Sequence, residues 1–163
     1  MSFLIRLLSA AALSLFLFWL FRLAMGLRYA KLRREEERRA EQAKGRRLVA
    51  EVPTHAGDVV LFLEDTSAFL WGEQELPKAE IEGARLMLNG RVIDTCQWHG
   101  VTLPPAGWDE EHDGRERWDV LVYLREGRVF EIPCGSLREG VSREAAQRVF
   151  TAVAQAVATV KQR

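Results

Sequence analysis

Residues 81–98, IEGARLMLNGRVIDTCQW, contain the pattern that decides the fold of this chain. Two β-rich runs, Ile81–Leu88 and Arg91–Trp98, flank the dipeptide Asn89-Gly90. Both turn residues tolerate the positive φ angles of a type I′ turn, and an Asn-Gly turn between two such runs is the strongest short hairpin signal. The stretch therefore predicts an antiparallel β-hairpin.

A two-residue turn also fixes the register of the two strands. The expected pairs are Leu88 with Arg91, Met87 with Val92, Leu86 with Ile93 and Arg85 with Asp94. The last pair places opposite charges directly across the hairpin, a contact that contributes roughly 0.2–1 kcal/mol.

Five further runs of strand character lie on either side of this hairpin. They are Leu48–Val52, Asp58–Glu64, Ala68–Trp71, Arg117–Leu124 and Arg128–Ile132. The last two flank Arg125-Glu126-Gly127, which predicts a second hairpin with glycine at the left-handed position of its loop. The sequence therefore predicts about seven strands.

The C-terminal residues 142–161 have a different period and contain no glycine or proline. Apolar residues recur there at spacings of three and four: Ala146, Val149, Phe150, Val153, Val157 and Val160. Polar residues lie largely off that stripe: Arg143, Gln147, Arg148, Gln155 and Lys161. Ser142 is the expected N-cap. The pattern predicts an amphipathic helix that packs its apolar side on the sheet.

The order of these elements resembles that of pleckstrin-homology-like domains. The resemblance covers roughly residues 48–160 and rests on element order alone. It implies two bent antiparallel sheets that form a partly open barrel, with the helix closing one end. The expected fold class is α+β: an N-terminal transmembrane helix, then an antiparallel β-rich domain closed by a C-terminal amphipathic helix.

The N-terminal part contains an uncharged run, Leu7–Phe21, with apolar flanks that extend it to Phe3–Leu27. A helix of that length covers the roughly 30 Å hydrocarbon core of a bilayer. The alternative is a cleaved signal peptide, but a dense basic flank downstream favours an uncleaved anchor. We expect an anchor in residues 1–27, a basic juxtamembrane helix in residues 28–47 that ends near Gly45, and a domain in residues 48–163.

The basic flank also predicts the orientation of the anchor. Five basic residues on the downstream side are expected to contact lipid headgroups: Arg22, Arg28, Lys31, Arg33 and Arg34. By the positive-inside rule the C-terminal domain is then expected in the cytoplasm, at the inner membrane. In that compartment Cys96 and Cys134 are expected to be free thiols.

Composition and charge exclude several classes of protein. Charged residues make up 28% and hydrophobic ones 48% of 163 residues, which excludes a disordered chain and a multi-span membrane protein. Residues 1–47 carry 11 basic against 4 acidic side chains, whereas residues 48–163 carry 12 against 19. A tethered domain with this excess of acidic groups repels phosphates, so no nucleic-acid partner is expected.

Candidate chemistry is sparse in this sequence. Cys96 and His99 form a C-x-x-H pair, and His112 and Cys134 are the candidates to complete a set of four metal ligands, but a structural zinc site usually shows two tight pairs. Residues 109–114 begin like a calcium loop, yet Val120 stands where the bidentate glutamate is needed. No nucleophile, phosphate-loop or metalloprotease motif is present. No catalytic residue, cofactor or bound metal is expected, although convergence of these four residues on a metal stays open.

The loop of residues 102–116 is the expected partner surface, because an aromatic anchor lies there beside a cluster of charges. Its residues are Trp108, Asp109, Glu110, Glu111, His112 and Asp113. We therefore expect a single-pass membrane protein that presents a small cytoplasmic protein-interaction domain, for adaptor or assembly work, without catalysis. The alternatives are a lipid-headgroup-binding module, which the acidic charge disfavours, and a small membrane-tethered enzyme or metal-binding protein. The expected partners are the lipid bilayer and a protein.

Overall fold

The computed structural model describes residues 2–53, 59–105, 116–135 and 139–160. Within these ranges side chains are described from Leu15 onward, except those of residues 27, 30, 34, 53, 139, 140 and 160. The chain divides into two compact units, residues 1–44 and residues 45–163.

The first unit is a single helix, α1 (Ser2–Ala43). Gly45 follows it with a φ of +79°, the left-handed conformation that ends many helices, which confirms the predicted stop. Arg33 and Glu37 form an i, i+4 ion pair on this helix, with 3.1 Å between Nε and Oε1. Over the residues whose side chains are described, no helix is long and apolar enough to cross a membrane, so the predicted span Phe3–Leu27 is not confirmed.

The second unit begins with a four-stranded antiparallel sheet, here called sheet A. Its strands are β1 (Arg47–Pro53), β2 (Val59–Glu64), β3 (Ala68–Trp71) and β4 (Gln74–Pro77), and they pair in chain order. The first three correspond to predicted strands. The fourth was not predicted, because its only buried side chain is Leu76. The sequence does contain one indication of this strand, the glycine at position 72. Glycine is preferred at the first position of a two-residue type II′ turn, and Gly72 has a φ of +58°.

The turn between β2 and β3 is held by one carboxylate. Asp65 Oδ1 accepts hydrogen bonds from the backbone N–H groups of Ser67 and Ala68, both at 2.7 Å. These N–H donors hold the pKa of Asp65 below its ordinary value, because they stabilise the charged form. The turn therefore depends on an ionised aspartate.

A second antiparallel sheet, sheet B, follows. Its strands are β5 (Ile81–Leu88), β6 (Arg91–Gln97), β7 (Trp118–Leu124) and β8 (Val129–Pro133), in the order β6-β5-β7-β8. Both predicted hairpins are confirmed: Asn89 and Gly90 have φ angles of 51° and 72°, and Gly127 has one of 71°. The strands do not pair in chain order here, because β7 pairs with β5 rather than with β6. The apolar β5 is thereby central, and the polar β6 lies at the edge.

The register of the first hairpin is confirmed near the turn and wrong beyond it. Leu88 pairs with Arg91 and Met87 with Val92, as predicted, but Leu86 pairs with Asp94 and Arg85 with Thr95. Ile93 is therefore an extra residue, a β-bulge in β6. A one-residue shift exchanges the two faces of a strand, so Cys96 and Trp98 turn toward the core in place of Thr95 and Gln97.

The last element, α2 (Glu139–Val160), fills the space between the two sheets. It contacts β1 of sheet A and β5 and β7 of sheet B, so both sheets share one hydrophobic core. The predicted apolar positions Ala146, Val149, Phe150, Val153 and Val157 are buried, and the side chain of Val160 is outside those described. The predicted N-cap is wrong: Ser142 lies inside the helix, fully buried.

The opposite face of sheet B carries a smaller apolar cluster. Its buried members are Met87, Leu103, Leu121 and Tyr123, so the segment after β6 covers part of this face. Gly83 lies beside this cluster, where a Cβ atom would be 2.5 Å from the backbone oxygen of Cys96 and 3.1 Å from Leu103 Cδ1. Only glycine therefore lets β6 and the 101–105 segment approach β5 this closely.

Candidate binding groove

An open groove lies in the second unit, between the end of β6 and the C-terminal half of α2. Its volume is about 590 Å³, within the range of small-molecule and peptide-side-chain sites. Eight of the described residues line it: Thr95, Cys96, Gln97, Trp98 and His99 from β6 and the turn after it, and Ala154, Val157 and Ala158 from α2.

The groove exists because β6 is an edge strand and the helix beside it carries small side chains. Among the strands that the structure describes, β6 pairs only with β5, and six of its seven residues are exposed. Alternate N–H and C=O groups of an edge strand point away from the sheet, where another strand can pair with them. Ala154 and Ala158, one helical turn apart, leave the space next to this edge open.

Trp98 is the largest side chain of the groove. It is partly buried against the shared core, and its backbone N–H donates to the carbonyl oxygen of Glu82 at 2.9 Å. The guanidinium carbon of Arg125 lies 5.3 Å from the centre of its ring. The indole Nε1–H, which can only donate, is buried and finds no acceptor among the described residues. Trp98 thus gives the groove an aromatic wall.

The predicted C-x-x-H pair lies in this groove, but its expected completing ligands do not join it. Cys96 is half-buried, and burial raises the pKa of its thiol. Cys134 is fully buried in the shared core, where burial raises its thiol pKa strongly and the thiol donates to the carbonyl oxygen of Ile132. His112 lies outside the described residues. Within the described ranges no three His, Cys, Asp or Glu side chains are placed to hold a metal ion.

The chain was compared with protein families, curated proteins and solved structures. No protein family, curated protein or solved structure matches the chain. Candidate functions for the groove therefore depend on its own geometry and chemistry.

The other predicted site residues lie elsewhere. The predicted partner surface, Trp108 to Asp113, lies outside the described residues. Of the predicted headgroup contacts, Arg22, Arg28, Lys31 and Arg33 are exposed on α1, and the side chain of Arg34 is not among those described.

Sequence reasoning missed the helix side of the groove. Of its three residues, Val157 was predicted only as part of the core stripe, and Ala154 and Ala158 were not singled out. The available signal was the pair of alanines at i and i+4, since small residues at that spacing leave a depression on one face of a helix. Trp98 was predicted only as the end of a strand, and its exposure to a groove depends on the β-bulge at Ile93.

Proposed function

We propose that this protein is a non-enzymatic interaction module, tethered to a membrane by α1, that binds an extended segment of a partner protein in the groove between β6 and α2. The observation that carries the proposal is the open groove beside an unpaired strand edge. An extended segment that lies along such an edge gains main-chain hydrogen bonds, and pockets beside the edge select its side chains.

The chemistry of the groove supports this class of ligand. A strand added beside β6 directs every second side chain toward the space between Trp98 and Ala158, because strand side chains alternate. An apolar side chain there would be buried by Trp98 and Val157, and buried aromatic walls of this kind commonly anchor interfaces.

The tethering part of the proposal is supported by α1 and its sequence. The run Leu7–Phe21 has no charge, and the described side chains from Leu15 to Phe21 are 40–70% exposed. A helix that is apolar on all sides, and whose apolar side chains are left exposed, is typical of contact with lipid. Arg22, Arg28, Lys31 and Arg33 follow it as exposed cations suited to anionic headgroups.

The groove is tested by selecting extended peptides from a display library against the full chain in detergent. Ala158→Trp fills the groove, whereas Gln155→Trp places the same side chain on an exposed position of α2 outside it. We expect Ala158→Trp to weaken the selected peptides about tenfold or more, which corresponds to about 1.4 kcal/mol. Gln155→Trp should leave their affinity within about twofold. Peptides that bind the Ala158→Trp variant as tightly as the wild type would exclude the groove.

The tether is tested separately by fractionating cells that express the full chain. We expect the protein in the membrane pellet after alkaline extraction, and a variant with Leu17→Arg and Phe18→Arg in the soluble fraction. A cytoplasm-specific reporter fused after Arg163 should be active. A wild-type chain that is released by alkali would remove the tether from the proposal and leave the groove untouched.

A further inference from the structure

The end of β6 nearest the hairpin turn has an exposed apolar centre between two opposite charges. Val92 and Ile93 are 46% and 52% exposed. Arg91 and Asp94, both exposed, flank them, and Asp94 Oδ1 accepts a hydrogen bond from the backbone N–H of Thr95 at 2.8 Å. The sequence of this edge is therefore cation, apolar, apolar, anion. It lies apart from the groove, which uses residues 95–99.

The β-bulge determines how this edge presents its backbone. Hydrogen-bonded pairs alternate along an antiparallel ladder, and the Trp98-to-Glu82 hydrogen bond fixes that alternation for β5 and β6. Counting back along the ladder, Asp94 opposite Leu86 is a bonded pair, and Arg91 opposite Leu88 closes the turn. Between these two pairs β6 has two residues where β5 has one. The N–H of Val92 and the C=O of Ile93 are therefore left for the free edge, whereas the C=O of Val92 and the N–H of Ile93 belong to one trans peptide and point in opposite directions.

We propose that two copies of this protein associate edge to edge through residues 91–94 of β6, antiparallel and related by a two-fold axis. The N–H of Val92 then donates to the C=O of Ile93 of the second copy, and the two-fold axis repeats this hydrogen bond. Arg91 faces Asp94 of the second copy, in the type of pair where side chains approach most closely. The symmetry repeats each contact, so the interface contains two such ion pairs.

The order of charges identifies a second copy as the occupant. Read in the antiparallel direction, Arg91-Val92-Ile93-Asp94 is complementary to itself, whereas parallel pairing in register would place like charges opposite each other. Edge strands that avoid self-pairing usually carry lysine or proline near their centre. This edge has Val92 and Ile93 there instead. The inference does not depend on the proposed function, but a dimer and a bound segment would compete, since this register places Gly90 of the second copy opposite Thr95, on the strand edge beside the groove.

The mass of the full chain in detergent, measured by density-matched sedimentation equilibrium, tests the proposal. We expect a dimer for the wild type. Arg91→Asp and Asp94→Arg should each give a monomer, since each places like charges across the interface, and the double exchange should restore the dimer. Glu73→Arg is the matched control, because it makes the same change of charge in the exposed turn between β3 and β4 and should leave the dimer intact.

A second variant tests the register directly. Opposed residues in such a pair have Cα atoms about 4.5 Å apart, within the range that a disulfide bridges. Arg91→Cys/Asp94→Cys should therefore give a covalent dimer with diamide, and Glu73→Cys should not. A wild-type monomer, single reversals that stay dimeric, a double exchange that stays monomeric while folded, or absence of the cross-link would each overturn the proposal.

Discussion

Replacing Gly83 with alanine should destabilise the second unit and disturb the groove together. The new Cβ atom would lie 2.5 Å from the backbone oxygen of Cys96 and 3.1 Å from Leu103 Cδ1. Overpacking of this kind typically costs about 1–3 kcal/mol. Alanine also reduces the entropy of the unfolded chain, which offsets about 0.4–1 kcal/mol. The expected net loss in the free energy of unfolding is about 1–2 kcal/mol.

Thermal unfolding of the full chain, followed by tryptophan fluorescence, measures this loss. For a unit of this size each kcal/mol lowers the Tm by about 3–6 °C, so we expect a decrease of about 3–12 °C. Peptides selected on the groove should also bind more weakly, because the displaced atoms belong to Cys96 and its neighbours.

A double variant distinguishes crowding against the backbone from crowding against the Leu103 side chain. The closest contact of the new Cβ is with backbone, so trimming Leu103 to alanine in the Gly83→Ala variant should not restore the Tm. Rescue by Leu103→Ala would show that only the side chain is crowded. An unchanged or raised Tm in Gly83→Ala would refute the reasoning, because β6 would then not be held against Gly83.

Two further predictions concern stability. Asp65→Ala should lower the free energy of unfolding by about 1–2 kcal/mol at neutral pH, since it leaves the N–H groups of Ser67 and Ala68 without an acceptor. Because the folded-state pKa of Asp65 is lowered, its contribution is present above the ordinary value of 3.8 and lost as the pH falls through the folded pKa. Chemical denaturation should therefore show the gap to the wild type closing in acid, and a constant gap would contradict this assignment. Phe150→Ala should cost about 3–5 kcal/mol and Arg148→Ala less than about 0.5 kcal/mol, because the first side chain is buried in the shared core and the second is exposed. Equal shifts in paired thermal melts would mean that α2 is not packed on the sheets.

Local patterns predicted much of the second unit. Asn89-Gly90 gave a hairpin because only a few residue pairs accept two successive positive φ angles. The spacing of Ala146, Val149 and Val153 identified the buried side of α2, since one helical period determines which side chains meet the sheets.

The missed features depend on contacts between distant residues. The bulge at Ile93 turns Cys96 and Trp98 toward the core, and nothing near the turn requires it. β7 pairs with β5 because the more apolar strands occupy the centre of the sheet. Predicting where each strand lies along the chain does not predict which strands will be central. Ser142 resembled an N-cap by type alone, although the helix extends to Glu139.

The position of α2 constrains how the protein folds as it is synthesised. The core residues of sheet A and sheet B close against the same helix, which occupies the last part of the described chain. Phe62 and Phe69 of sheet A stack with 5.4 Å between their ring centres. They can be covered only after the helix has been synthesised, about seventy residues later. Until then both sheets keep apolar faces open, and such exposed surfaces favour aggregation. Newly made chains should accordingly depend on chaperones until translation ends, and premature stop codons before Glu139 should yield insoluble products.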